Sequence, residues 1–185
     1  MSDSRVLERR SVLRGRVIDV GVERVRLPNG RETQLEILRH PGAAAILPVT
    51  EGGEVVLIHQ FRHAADGYLW ELPAGTREKD EEPLACARRE LTEETGLEAS
   101  TWLDLGDMTP APGYTNERIQ LFLARDFTSA PEKRDDDELI TEVRRVPVAE
   151  ALAWAADGTV VDAKTIVALF RAVQRGLLAT RRGAS

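Results

Sequence analysis

The sequence has little of the residue types that build disulfides or soft-metal sites. Only one of its 185 residues is cysteine, Cys86, and only three are histidine. A single cysteine cannot form a disulfide within the chain, which fits a reducing compartment, and we expect a cytoplasmic protein. The three histidines, His40, His59 and His63, lack the spacing of a shared metal site, so we assign them no catalytic role.

Long apolar runs and an excess of positive charge are also missing. No stretch approaches the roughly 18 residues that a membrane span needs. Residues 1–15 carry charges throughout, so we expect no signal peptide. A net charge of −6 gives no electrostatic reason to bind nucleic acid or an anionic membrane. An anionic substrate would therefore need a local basic patch or bound cations.

The first half of the chain is dominated by strand patterns. Residues 16–27 and 31–39 are β-rich and flank Asn29-Gly30, a strong hairpin signal. Residues 43–49 and 54–62 form a second predicted hairpin. The strand over 43–49 is nearly all apolar, as expected of a strand that is buried on both faces.

Helical patterns follow. The segment 83–95 has Pro83 in its first turn and Gly96 as a stop signal. Two helices close the chain, at 148–157 and 162–177, after strands near 101–107 and 118–125 and an acidic loop at 132–138. This order predicts a layered α/β domain that is preceded by an N-terminal antiparallel β-hairpin element.

The helix over 83–95 carries Glu90, Glu93 and Glu94 in its last two turns. Their spacing of three and four residues places the carboxylates on one face. Like charges at this spacing cost roughly 0.2–0.5 kcal/mol per pair, and the helix dipole adds a similar penalty near the C-terminal end. If the face is partly buried, all three can stay ionised only beside a cation, and oxygen ligands suit Mg²⁺ or Mn²⁺. A solvated helix face is the ordinary alternative.

Residues around these glutamates complete the motif of the Nudix hydrolase family, which the sequence resembles. In that motif a glycine, a glutamate and an Arg-Glu-apolar-any-Glu-Glu-any-Gly-apolar run stand at fixed spacing. Every position is matched here, by Gly75, Glu81, Arg89, Glu90, Leu91, Glu93, Glu94, Gly96 and Leu97. Average residue usage puts a chance match on the order of 10⁻⁷. The resemblance spans about residues 43–178 and implies a Nudix α/β/α sandwich with a mixed β-sheet.

The resemblance implies a metal-dependent hydrolase of nucleoside diphosphates that are linked to another group. Glu90, Glu93 and Glu94, with the backbone carbonyl of Ala74, would hold two or three Mg²⁺ or Mn²⁺ ions. Arg89 would orient the glutamates through charge-assisted hydrogen bonds, which makes it part of the catalytic set.

Segments outside the motif resemble the ADP-ribose pyrophosphatase branch of the family. They are residues 59–64, 68–75 and 111–117, and they include Pro112, which lies 15 residues after Leu97. The implied reaction is hydrolysis of ADP-ribose to AMP and ribose 5-phosphate, or of a close nucleotide sugar. One alternative is the same chemistry on GDP-mannose or a dinucleotide coenzyme. A non-catalytic domain that senses ADP-ribose is an alternative of another class.

Three residues are candidates for substrate binding. Arg62 ends an apolar strand and would contact phosphate or ribose, because a guanidinium binds phosphate in a bidentate fork. A surface arginine is the alternative. Trp70 would either stack on adenine or pack in the core, and Glu117 resembles a glutamate of the family's substrate loop.

The general base is predicted in the acidic run at 135–143. Glu138 aligns best with the carboxylate that this branch uses to position or deprotonate the attacking water. Asp137 and Glu142 are alternatives in a neighbouring register, and Glu93 is a rival within the motif. A solvated acidic loop would explain the run without catalysis.

The resemblance also implies a homodimer. Residues 1–40 match the position of a small β-element that this branch exchanges between subunits, and residues 41–178 would form the hydrolase domain. We expect the tail, 179–185, to be disordered. The expected partners are a nucleoside diphosphate sugar and a second copy of the chain, with no nucleic acid and no membrane.

Overall fold

The computed structural model describes residues 4–131 and 138–178. Its contacts divide the chain into two compact units. One comprises Met1–Gly42 with Thr109–Arg118, and the other comprises Ala43–Met108 with Ile119–Ser185. The segment 109–118, which the sequence placed in the hydrolase domain, thus groups with the N-terminal strands. Most of the predicted acidic loop and the whole tail, 179–185, lie outside the described residues.

The smaller unit is built on a three-stranded antiparallel sheet in the order β1-β2-β3. Its strands are β1 (Arg5–Arg14), β2 (Asp19–Arg26) and β3 (Glu32–Arg39). The predicted turn is confirmed, since Gly30 has φ +83° and its N–H donates to the Leu27 carbonyl over 2.9 Å. The sequence did not predict β1. Its residues are exposed almost throughout, so the strand shows no apolar alternation.

Among its described residues, the larger unit contains two sheets, three α-helices and one short 3-10 helix, His63–Ala65. One sheet is antiparallel, in the order β10-β5-β6, and the other is mixed, in the order β7-β4-β9-β8, with β4 and β9 parallel. The strands are β4 (Ala43–Pro48), β5 (Glu54–Arg62), β6 (Gly67–Glu71), β7 (Ala74–Thr76), β8 (Leu97–Met108), β9 (Ile119–Ser129) and β10 (Ile140–Pro147). The helices are α1 (Pro83–Thr95), α2 (Val148–Asp157) and α3 (Ala163–Gln174). The predicted α/β class with a mixed sheet is confirmed.

Strand β4 separates two hydrophobic cores. Ala43, Ala45 and Leu47 pack into a core with residues of β5, β9 and α3, whereas Ala44 and Ile46 pack against α1. All five side chains are buried, so the expectation of a strand covered on both faces is confirmed. The alternation follows from the two-residue period of a strand.

The predicted hairpin between β4 and β5 is wrong in its pairing. A turn does join the two strands, and the Thr50 N–H donates to the Glu54 carbonyl over 2.9 Å. Beyond one bridge, Val49 to Val55, the strands diverge into different sheets. Strand β4 instead hydrogen-bonds to β9 and β7, so both of its edges are paired within the mixed sheet.

The predicted helices are confirmed, with small changes at their ends. Helix α1 spans the predicted residues and ends at Gly96, whose φ of +66° is readily available to glycine. Helix α3 begins one residue later than expected because Asp162 caps it, accepting from the Thr165 N–H. Within the described residues, no helix is long and apolar enough to cross a membrane.

Candidate metal and catalytic site

Helix α1 presents its acidic residues at the edge of a buried face. Cys86, Ala87 and Leu91 are fully buried against the mixed sheet. Glu90 and Glu94 border this apolar stripe and are 5% and 0% exposed. The hydrophobic packing that fixes the helix therefore also removes two carboxylates from water.

A third carboxylate joins them from the chain that leads into β10. Oxygens of Glu90, Glu94 and Glu138 all lie within 4.8 Å of one another, and only carboxylates form this group. Oxygen ligands at this separation suit a hard divalent cation such as Mg²⁺ or Mn²⁺. The structure thus brings together two of the glutamates that the sequence predicted as metal ligands and the one that it predicted as the base.

Burial strongly perturbs the two helical carboxylates. The pKa of Glu90 is raised to about 7, mainly by loss of hydration and also by the charges of Glu138 and Glu93, against the attraction of Arg89. The pKa of Glu94 lies well above its ordinary value for the same reasons, burial first and then repulsion from Glu90 and Glu138. A cation would reverse this balance, because it favours the ionised form of each group.

Glu94 gives the strongest indication that this group of carboxylates can bind a cation. Its Oε2 accepts a 2.9 Å hydrogen bond from the Ala74 N–H, whereas its buried Oε1 has no hydrogen-bond partner among the described residues. A buried carboxylate oxygen without a partner is costly. Metal coordination would satisfy it, so the residues present fit a divalent ion.

Arg89 holds the acidic residues of the motif together. It donates from Nη1 to Glu90 over 2.6 Å and to Glu93 over 2.9 Å, and its Nε and Nη2 bind both oxygens of Glu81. It also donates to the Thr76 carbonyl over 3.3 Å. Arg89 thus contacts three glutamates of the motif, and its orienting role in catalysis stays a prediction. Glu93 lies on this arginine and, among the described residues, is not part of the three-carboxylate group.

Gly75 is required by the closeness of the helix to β7. A Cβ atom at this position would overlap the carboxylate of Glu90. Only a residue without a side chain lets the strand approach that carboxylate. Gly75 and its neighbour Ala74 therefore set how β7 meets the two buried glutamates.

Arg62 lies at the end of β5 and binds Glu71 of β6. Its Nε and Nη2 donate to the two carboxylate oxygens over 2.7 and 3.1 Å. Its positive charge also lowers the pKa of Glu94, which places the guanidinium within electrostatic reach of the carboxylate group. The sequence did not identify Glu71, because one glutamate in a strand carries no spacing signal.

The remaining predicted residues lie in other surroundings. Trp70 stacks on His59 with ring centroids 4.6 Å apart, and Arg144 lies 4.6 Å over its ring. Glu142 pairs with that arginine, whereas Asp137 lies outside the described residues. Glu117 belongs to the smaller unit, where its Oε1 lies 3.7 Å from His40 Nδ1. The substrate-binding roles of Arg62, Trp70 and Glu117 stay predictions.

Comparison with known proteins identifies the family. The NUDIX domain model matches residues 38–170. The chain belongs to the Nudix family. Over 169 residues it is 39% identical to an ADP-ribose pyrophosphatase of Bacillus subtilis (strain 168), covering 90% of this chain and 91% of that protein. It is 35% identical over 159 residues to a GDP-mannose pyrophosphatase of Cronobacter sakazakii (strain ATCC BAA-894), covering 77% and 83%.

A solved structure supports the Nudix fold independently. The crystal structure of an ADP compounds hydrolase matches with a TM-score of 0.79 over 95% of this chain and 97% of that chain. The two sequences are 22% identical, so this likeness concerns the fold. The motif residues lie in β7, in the loop that follows it, in α1, at Gly96 and at the first residue of β8.

We expect Gly75→Ala to disrupt metal binding, because the new methyl group would displace the Glu90 carboxylate. The predicted result is at least about tenfold weaker Mn²⁺ binding, or roughly 1.4 kcal/mol, by calorimetric titration. Gly67→Ala is the matched control, since a Cβ there has no neighbour within 4 Å. Equal Mn²⁺ affinity in the two variants would contradict the assigned role of Gly75.

The raised pKa of Glu90 predicts a pH dependence in metal-free protein. The folded state holds this proton up to about pH 7, whereas the unfolded chain releases it near 4.5. Stability should therefore fall as pH rises through that window. In EDTA, we expect the unfolding free energy of wild type relative to Glu90→Gln to drop by up to roughly 3 kcal/mol between pH 5 and 8. Saturating Mg²⁺ should remove the drop, and parallel profiles in EDTA would contradict the assignment.

Proposed function

We propose that the protein hydrolyses the diphosphate bond of ADP-ribose, giving AMP and ribose 5-phosphate, with Mg²⁺ or Mn²⁺ as cofactor. The observation that carries the proposal is the group of three carboxylates, in which a buried Glu94 oxygen has no hydrogen-bond partner among the described residues. Similarity to an ADP-ribose pyrophosphatase over 90% of the chain supports the choice of substrate.

The chain offers a defined set of ligands for the cofactor. Glu90 and Glu94, with Glu93 and the Ala74 carbonyl, would hold two or three divalent ions. Such ions, when bound, neutralise charge on the diphosphate and make water a better nucleophile. Arg89 keeps the side chains of Glu90 and Glu93 oriented toward that task through its short hydrogen bonds.

Glu138 is the proposed general base. It would accept a proton from the water that attacks phosphorus, while the bond from phosphorus to the bridging oxygen breaks and that oxygen leaves on the other product. Its position beside Glu90 and Glu94 supports this role. Of the alternatives, Glu142 pairs with Arg144 and Glu93 with Arg89, and neither belongs to the three-carboxylate group among the described residues, whereas Asp137 lies outside them.

Arg62 is the proposed phosphate contact of the substrate. Its side chain is 38% exposed and binds Glu71 through Nε and Nη2, and its remaining guanidinium N–H groups could donate to a phosphate. We keep Glu117 as a weaker candidate. The contacts of Trp70 with His59 and Arg144 favour a packing role over adenine stacking.

GDP-mannose is the second candidate substrate. The observation in its favour is the similarity to a GDP-mannose pyrophosphatase over 77% of the chain. The three-carboxylate site would perform the same chemistry on either compound. A non-catalytic sensor is disfavoured because every glutamate of the motif is present.

We expect Glu94→Gln to reduce Mg²⁺-dependent turnover by at least about 100-fold, because an amide cannot replace the charge at a metal ligand. The measurement is release of phosphatase-sensitive products from ADP-ribose, GDP-mannose and a dinucleotide coenzyme. Glu98→Gln, at an exposed position beyond the motif, should keep wild-type activity. Near-wild-type turnover by Glu94→Gln would overturn the metal assignment, and a preference for GDP-mannose would overturn only the substrate.

The proposal includes a cytoplasmic homodimer that assembles through β1. Val12 and Leu13 of that strand are 59% and 57% exposed, and exposed apolar residues on an edge strand favour association. We expect light scattering to give twice the chain mass of 20.5 kDa. Leu13→Arg should shift the protein toward monomer, whereas Leu103→Arg, on an exposed site of β8, should not. A monomeric wild type would contradict the dimer.

A further inference from the structure

We propose that Lys164, at the start of α3, is a positioning residue that holds Arg62 ready for a substrate phosphate by sharing the Glu71 carboxylate with it. This inference rests on the proposed function, because it takes Arg62 as a phosphate contact. It adds a part of the chain, the last helix, that lies far from the Nudix motif in sequence.

The first observation is how Glu71 holds Arg62. The carboxylate of Glu71 is 2% exposed and receives the side-on edge of the guanidinium, formed by Nε and Nη2. The guanidinium is planar, so its end-on edge, Nη1 and the other Nη2 proton, points away from Glu71. That end-on edge is the fork that binds phosphate in a bidentate manner.

The second observation is that Glu71 has two cationic partners. Lys164 Nζ donates to Glu71 Oε2 and, over 3.0 Å, to Asp162 Oδ1. The Lys164 side chain is 10% exposed, so its charge is held within the structure. Two positive and two negative groups thus balance, and the Glu71 carboxylate is divided between Arg62 and Lys164.

This sharing limits how strongly Glu71 competes with a phosphate for the charge of Arg62. Without Lys164, Arg62 would be the nearest cation to a buried carboxylate, and a buried ion without full compensation is strongly disfavoured. Arg62 already binds both Glu71 oxygens, so as the only cationic partner it would be held more tightly on this carboxylate and be less available to a phosphate. Lys164 shares Oε2 with Arg62 Nη2 and thereby offsets part of the Glu71 charge that competes with a phosphate for Arg62.

The start of α3 is itself anchored to the strand ends of the site. Asp162 caps the helix by accepting from the Thr165 N–H, and Thr165 Oγ1 accepts from the Leu72 N–H over 2.9 Å. Two residues further along the chain, the Ala74 N–H donates to Glu94. The turn that carries Lys164 is therefore fixed to the same short segment, 71–74, that contacts both Arg62 and a metal-site glutamate.

The test compares Lys164→Met with Leu169→Ala in the full-length protein with Mg²⁺. Leu169 lies on the same helix and is 1% exposed, so its truncation lowers stability without touching Glu71. We expect Lys164→Met to raise KM for ADP-ribose about tenfold with kcat within about threefold, the size of a weakened charge-assisted contact. Leu169→Ala should lower the melting temperature and leave KM unchanged. Lys164→Gln is the second variant if Lys164→Met does not fold.

A double-mutant cycle separates positioning from a purely structural role. If Lys164 acts through Arg62, then Lys164→Met should raise KM little further when Arg62 is already alanine. Independent, multiplying effects would overturn the inference. So would an unchanged KM in both Lys164 variants.

A substrate-independent probe keeps this inference distinct from the proposed function. Methylenediphosphonate with Mg²⁺ is a non-hydrolysable diphosphate that any candidate substrate would resemble. By calorimetry, Lys164→Met and Arg62→Ala should each bind this probe about tenfold more weakly than wild type does. Failure of wild type to bind this probe would overturn the inference. Failure to hydrolyse ADP-ribose, with the probe still bound as expected, would overturn only the proposed substrate.

Discussion

Repulsion between the buried carboxylates of Glu90 and Glu94 is the interaction on which the rest of the site depends. Two such charges about 4 Å apart repel by roughly 4 kcal/mol at an effective dielectric of 20. Without a cation, retained protons relieve this repulsion, in keeping with the raised pKa of both carboxyls, while the packing of Cys86, Ala87 and Leu91 holds the helix in place. A cation between the carboxylates turns the same arrangement into a stable one, so the packing of α1 and the chemistry of the site are inseparable.

Several surrounding groups each offset part of the negative charge of these glutamates. Arg89 lies beside Glu90 and Glu93 and offsets part of their charge, and it lowers the pKa of Glu81 as well. Glu94 receives only one backbone N–H, from Ala74, and its second oxygen has no partner among the described residues. The electrostatic compensation is thus least complete at Glu94, which is where a divalent ion would contribute most.

Short sequence patterns were sufficient to predict the helices and to find the motif. Pro83 and Gly96 mark the ends of α1 because each has a backbone restriction or freedom that acts on its own residue. Strand pairing between distant segments could not be predicted from the sequence. Strands β4 and β5 have the pattern of a hairpin, but β4 pairs with β9, a strand more than seventy residues away. The same holds for Glu71 and Lys164, which lie 93 residues apart. Glu138 could be proposed from a family resemblance, whereas its contact with Glu90 and Glu94 required the fold.

The position of β4 between two cores bears on how the larger unit unfolds. Ala43, Ala45 and Leu47 belong to one core, and Ala44 and Ile46 belong to the other, so loss of this strand would disrupt both cores. Separation of α1 from β4 would expose the apolar side chains of Ala44 and Ile46. Because one six-residue strand serves both cores, we expect local melting of α1 to be coupled to global denaturation of the larger unit.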